Sequence, residues 1–173
     1  MCGIATLTRQ YVDRIHGTRA RIVDTRKTVP GLRVLDKYAV SCGGGMNHRM
    51  GLFDGVLIKN NHIAFHSSVA ETVHEARKRL GHLTKIEVEV RDLQELHNAL
   101  SAGADVILLD NFTPAETRSA LGVINGRVPV ESSGGITLET VRQFAECGVD
   151  YISVGALTHS VPAVDIHLRV SAE

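Results

Sequence analysis

Residues 99–111 read ALSAGADVILLDN, and residues 144–156 read FAECGVDYISVGA. Both follow one plan: the end of a helix, a glycine, a small or apolar residue, an aspartate and a short apolar strand. Gly103 and Gly148 stand far enough apart for two βα units between them. Strands that alternate with helices imply parallel pairing through right-handed crossovers. Working outward from this repeat, apolar runs predict further strands at 21–24, 55–58, 85–90 and 129–131, with the repeats themselves giving 106–109 and 151–154.

Helices are expected between them. Ile4, Leu7, Tyr11 and Ile15 share a helical period. Pro30 suits a first helical turn that continues through Leu32, Leu35 and Ala39. Ser68 with Glu71, Asp92, and Thr113-Pro114-Ala115-Glu116 are N-terminal capping signals. The faces behind them are Val69, Val73, Ala76 and Leu80, then Leu93, Leu96 and Leu100; a last helix from Thr137 shows Leu138, Val141 and Ala145. Gly43-Gly44-Gly45 predicts a sharp turn or a close backbone approach.

Six strand–helix units in 173 residues fit an incomplete α/β barrel: (β/α), TIM-like, of about six to seven parallel strands with outer helices. A complete eight-stranded barrel takes ~250 residues, and the GxGxxG of a Rossmann sheet is absent. The chain reads as one domain, with a leading helix at 1–17, barrel units at 18–157 and a closing segment at 158–173, inside which 164–170 alternates like a strand.

Nineteen acids balance nineteen bases, which excludes a global field for nucleic acid or membrane, so any anion site must be local. Cys2, Cys42 and Cys147 form no CxxC and read as free thiols of a reducing, cytoplasmic compartment. No apolar run reaches the ~18 residues of a membrane span.

Barrels work at the C-terminal ends of their strands. Reading those ends in order gives Arg26 with Lys27, Lys59, Glu89, Asp110, Ser133 with Gly134 and Gly135, and Gly155 with Ala156. Glu87 and Glu89 share a strand face that a barrel keeps either apolar or functional. Arg26, Lys27 and Lys59 read equally as solvated cations, His48 as a satisfied structural histidine, and Glu131 as structural or cavity-lining. Small residues at the last two strand ends can offer backbone N–H groups to a phosphate. Cations, two carboxylates and that cradle suggest a phosphorylated sugar with Mg²⁺ near Glu89 and Asp110.

The stretch 24–62, DTRKTVPGLRVLDKYAVSCGGGMNHRMGLFDGVLIKNNH, resembles the signature of the quinolinate phosphoribosyltransferase family. VEVEV, GADVILLDNF, ESSGGITLETV and GVDYISVGALTHS follow in the family's order. The resemblance implies transfer of phosphoribosyl from phosphoribosyl pyrophosphate to quinolinate with loss of CO₂, on the de novo route to NAD. It implies that Arg26, His48 and Arg49 hold the quinolinate carboxylates, and that Lys27 and Lys59 meet carboxylate or pyrophosphate charge. Glu89 and Asp110 would face the ribose and Mg²⁺. Ser133, Gly134, Gly135 and Gly155 would cradle the 5′-phosphate, with His159 nearby. Lys27, Lys59, Glu89 and Asp110 would be the catalytic set, with no organic cofactor. Family members carry an N-terminal domain whose arginine enters the active site of a neighbouring subunit. A homodimer or higher oligomer, or a separate N-terminal half, is therefore expected, with impaired turnover for this chain alone. The alternative is a non-catalytic phosphosugar-binding or subunit-completing barrel.

Overall fold

The computed structural model describes residues 1–66 and 68–171. Helices and strands alternate along the chain. The order is α1 (Cys2–Arg14), β1 (Arg21–Val23), α2 (Arg33–Cys42), β2 (Val56–Ile58), α3 (Asn60–Ile63), α4 (Val69–Arg79), β3 (Ile86–Val90) and α5 (Leu93–Ser101). It continues with β4 (Val106–Asp110), α6 (Pro114–Ile124), β5 (Val130–Ser133), α7 (Val141–Ala145), β6 (Tyr151–Ser153) and α8 (Ala156–His159). The three cap signals act as expected: Ser68, Asp92 and Thr113 each accept the backbone N–H three residues on.

All six strands are parallel and run in the order β1-β6-β5-β4-β3-β2. This is the cyclic order of a barrel with a seam between β1 and β2. At the seam a single bridge, Val23 to Met46, stands in for strand pairing. The Met46 N–H donates to Ile22 O at 2.8 Å, and the Asp24 N–H to Met46 O at 3.2 Å.

Register decides which side chains face which layer. Ile22 pairs with Ile152, Ile58 with Val88, and Ile107 with Val130. These residues form the main hydrophobic core, packed under the helices. The alternate set pairs Leu57 with Glu87, Glu89 with Leu108, Leu108 with Glu131, and Val23 with Ser153. That set lies outside the main core, and Leu57, Glu89, Leu108, Glu131 and Ser153 of it line the cavity of the barrel. The period-2 geometry of a strand thus separates an apolar outer face from a polar inner one.

The glycine triplet is a close approach. A Cβ on Gly43 would sit 2.5 Å from Ala5 O and 2.6 Å from Thr8 Cβ, and one on Gly45 would sit 2.8 Å from Thr8 Cγ2. Small residues there let α1 lie against the turn that follows α2.

One expectation needs correction. The helix expected from Pro30 begins at Arg33, and its buried face holds Asp36, Lys37, Ala39 and Val40. Leu32 and Leu35 remain exposed, because Lys37 pairs inward with Asp24 and Asp36 accepts the Val29 N–H. The segment 164–170, which alternates like a strand, joins no ladder among the described residues, and Val164, Ile166, Leu168 and Val170 are exposed. Residues 172–173 of that closing segment lie outside the described residues.

Candidate functional site

A cavity of about 940 Å³ opens at the C-terminal ends of the strands and takes lining residues from β2 to β6 and from the segment that follows β1. Every candidate side chain read from the sequence is on its wall: Arg26, Lys27, His48, Arg49, Lys59, Glu89, Asp110, Ser133, Gly134, Gly135, Gly155 and His159. The structure adds Thr25, Asn111, Thr137 and Ser153. Sequence reasoning missed these because a lone hydroxyl or amide carries no motif.

On one side lie the cations. The Arg26 Nε is buried with no hydrogen-bond partner among the described residues. Burial, and then the charge of Arg26, push the Arg49 guanidinium below its ordinary pKa. Both guanidinium groups line the cavity and repel one another, and one donor is unsatisfied, a state that an anion bound beside them would stabilise. Arg49 is anchored by its Nη1, which donates to Gly55 O at 3.1 Å. Lys59 is ion-paired with Glu89 on the adjacent strand. Lys27 reaches toward Gly155, and the Thr158 hydroxyl donates to Lys27 O at 2.7 Å, which ties β1 to the segment after β6.

The wall at the ends of β5 and β6 is built from backbone. Gly134 and Gly135 have φ of +97° and +60°. A Cβ on Gly134 would fall 2.9 Å from Asn111 N and 2.2 Å from its Oδ1, so only glycine fits. The amide N–H groups of Gly134, Gly135, Gly155 and Ala156 have no acceptor among the described residues. Unclaimed N–H groups at the ends of two neighbouring strands make a concavity for a phosphate. His159 stands over it, its Nε2 only 2.9 Å from where a Gly155 Cβ would lie.

Below this rim lies a buried polar group. The His48 Nε2 is 2.9 Å from Glu87 Oε2 and 3.7 Å from Glu131 Oε2. Burial lowers the His48 pKa, but the hydrogen bond to Glu87 and the charges of Glu131 and Glu87 outweigh it, and the net shift is upward. Glu131 is raised to about 8, chiefly by burial and then by the Glu87 charge. Its Oε1 has no partner among the described residues.

A stability prediction follows. The folded state keeps the Glu131 proton that the unfolded chain releases at an ordinary carboxylate pKa. This contribution is fully present at low pH and is lost as pH rises toward about 8. Glu131→Gln removes the linkage, so the variant gains stability over wild type as pH rises, by at most ~1.4 kcal/mol per unit. Urea unfolding of both proteins across that range measures it; parallel pH slopes would contradict it.

Three comparisons bear on the site. A family profile described as "Quinolinate phosphoribosyl transferase, C-terminal domain" matches residues 4–169. The chain is 48% identical over 171 residues to a probable nicotinate-nucleotide pyrophosphorylase [carboxylating] of Bacillus subtilis, covering 99% of this chain and 59% of that protein. It is 50% identical to the nicotinate-nucleotide pyrophosphorylase [carboxylating] of Mycobacterium leprae, covering 97% of this chain and 60% of that protein. The crystal structure of nicotinate-nucleotide pyrophosphorylase from Ehrlichia chaffeensis superposes with a TM-score of 0.89 at 45% identity, covering 92% of this chain and 58% of that one. The chain therefore spans less than two thirds of the length of these relatives.

Proposed function

We propose, from the premise that the chain belongs to the quinolinate phosphoribosyltransferase family through its C-terminal domain, that it carries the substrate-gripping barrel of a decarboxylating pentosyltransferase. The reaction joins quinolinate to phosphoribosyl pyrophosphate and yields nicotinate mononucleotide, pyrophosphate and CO₂. The observation that carries this reading is that Arg26, Arg49 and the unclaimed glycine N–H groups line one cavity.

The chemistry suits that layout. Quinolinate is a dianion, and a guanidinium fork matches a carboxylate bidentately. Arg26 and Arg49 take the two carboxylates. Ser133, Gly134, Gly135 and Gly155 take the 5′-phosphate, with His159 beside it. The ribose then lies between, where Glu89 and Asp110 face its hydroxyls. As pyrophosphate leaves, the ribose gains oxocarbenium character that these carboxylates balance, while Lys27 and Lys59 offset the departing negative charge. Once the pyridine nitrogen is glycosylated, its positive charge stabilises the electron pair left when CO₂ departs, so no protein nucleophile is needed.

The donor set near the ribose fits Mg²⁺. Glu89 and Asp110 are carboxylates on adjacent strands at one cavity wall; Glu89 pairs with Lys59, and the Asp110 carboxylate has no hydrogen-bond or ion-pair partner among the described residues. Mg²⁺ takes one or two carboxylates plus substrate phosphates. When bound, it would neutralise pyrophosphate charge.

The reading also assigns a cytoplasmic protein that works as a homodimer or with a further domain or chain, without nucleic acid or membrane. No helix among the described residues is long and apolar enough to cross a membrane. The exposed Val34, Leu35 and Tyr38 of α2, and Ile166, Leu168 and Val170, are surfaces that such a partner would cover.

Incubation with quinolinate, phosphoribosyl pyrophosphate and Mg²⁺, followed by chromatography, tests the activity. The expected result is slow formation of nicotinate mononucleotide that disappears in Lys27→Ala. Formation of a nucleotide from nicotinate, without release of CO₂, would instead assign another pyridine substrate.

A further inference from the structure

Two non-glycine residues among those described have positive φ, Asn125 at +48° and Asn111 at +59°. The first has a local reason. Asn125 ends α6 in the left-handed conformation, and its N–H donates to Leu121 O at 2.8 Å. Asn111 follows β4 and ends no helix. Left-handed backbone is unfavourable for a residue with a Cβ, least so for asparagine. It persists where the surrounding structure holds it, and such residues gather at ligand sites.

The neighbouring strand holds Asn111. Its N–H donates to Ser133 O at 2.9 Å, just past the Asp110–Ser133 pair that ends the β4–β5 ladder. Its side chain lies against the next residue of the loop after β5. A Cβ on Gly134 would fall 2.2 Å from Asn111 Oδ1 and 2.6 Å from its Cγ. The N–H groups of Gly134 and Gly135 have no acceptor among the described residues. The Asn111 carboxamide lines the same cavity and has no hydrogen-bond partner among the described residues either. A carboxamide offers two N–H donors and no charge. Its neighbour Asp110 is a carboxylate, which would repel a phosphate at this position.

We propose that Asn111 is a further binding residue of the glycine loop: its Nδ2 donates to the phosphate that the Gly134 and Gly135 N–H groups hold, and its left-handed backbone aims it there. This deepens the proposed function and rests on it for the identity of the ligand as a phosphoribosyl group.

Asn111→Gly separates side chain from backbone, because glycine adopts positive φ freely. Ribose 5-phosphate is the probe, since it carries the phosphate without pyrophosphate. By calorimetry Asn111→Gly is expected to weaken it about tenfold, the loss of a hydrogen bond to a charged group. The urea midpoint stays close to that of wild type, and quinolinate affinity changes less than about twofold. Asn111→Asp keeps the shape and tolerates the same φ, but turns a charge toward the phosphate and weakens ribose 5-phosphate about 100-fold. Wild-type affinity for ribose 5-phosphate in Asn111→Gly would make Asn111 a turn residue only and overturn the proposal, as would equal weakening of quinolinate. The side-chain ¹⁵N–¹H signals of Asn111, assigned by their loss in Asn111→Gly, judge the proposal apart from the functional reading. Saturating inorganic phosphate is expected to shift them. If it does, and phosphoribosyl pyrophosphate with Mg²⁺ gives no heat, the functional reading fails and the proposal stands. If phosphoribosyl pyrophosphate binds and these signals stay in place, the proposal fails and the functional reading stands. Absence of any effect from phosphate, ribose 5-phosphate and phosphoribosyl pyrophosphate would overturn both.

Discussion

Lys37→Met is expected to destabilise the protein by ~3–5 kcal/mol, the range for breaking a buried ion pair from one side. Lys37 and Asp24 are 1% and 0% exposed and form a direct ion pair. Methionine fills much of the lysine's volume, so little of the loss is a cavity. The loss comes from an Asp24 carboxylate left without a counter-charge and a His48 carbonyl left without a donor. Asp24 keeps the Asn47 amide and the His48 N–H as partners, which places the expected value toward the lower end. The pair joins the end of β1 to α2 beside the open seam, and both partners hold the His48 backbone, so the damage should spread to the segment that carries Arg49. Urea unfolding of Lys37→Met, Asp24→Asn and the double variant gives the coupling between them. The double variant should recover much of the loss, because asparagine still accepts the His48 N–H without a buried charge. A Lys37→Met effect below ~1 kcal/mol would show that the pair contributes no more than a surface contact.

Arg26→Ala is expected to weaken quinolinate about 100-fold, or ~2.7 kcal/mol, the loss of a charge-assisted hydrogen-bonded pair. The same change should leave the urea midpoint of the ligand-free protein unchanged or raise it. Arg26 sits beside Arg49, lowers the pKa of that guanidinium and leaves its own Nε unpartnered. Removing it relieves a repulsion that only a ligand relieves in the wild type. Arg26→Lys keeps the charge without the planar fork and should fall between the two. Loss of stability together with loss of affinity would make Arg26 a structural residue and contradict the reading of the cavity.

The barrel was legible because its signals are local and repeated. The glycine–aspartate–strand plan at 99–111 and 144–156 set parallel order, and the alternation at 85–90 placed Glu87 and Glu89 on one face. Arg26, Lys27, Lys59, Glu89, Asp110 and the glycine loops follow from strand ends, while His48, Arg49 and His159 enter only through the resemblance, and the cavity gathers both sets. What remained hidden depends on contacts distant in sequence. Nothing near Lys37 shows that its charge is buried against Asp24. That pairing turned α2 so that Leu32 and Leu35 face outward, against their apolar period. The 164–170 segment has strand alternation without a strand, because alternation supplies a face and not a partner edge. The role of His48 was left open between structural histidine and ligand, since only the contacts of its two nitrogens separate them.

The central claim is that one cavity holds a dicarboxylate at Arg26 and Arg49 and a phosphorylated ribose on the glycine loops after β5 and β6. Isothermal calorimetry with quinolinate, and with phosphoribosyl pyrophosphate plus Mg²⁺, tests it directly. The account predicts heat from each ligand and binding of both together, with Arg26→Ala abolishing most of the quinolinate signal alone. Absence of heat from both ligands, or mutual exclusion of the two, would contradict it.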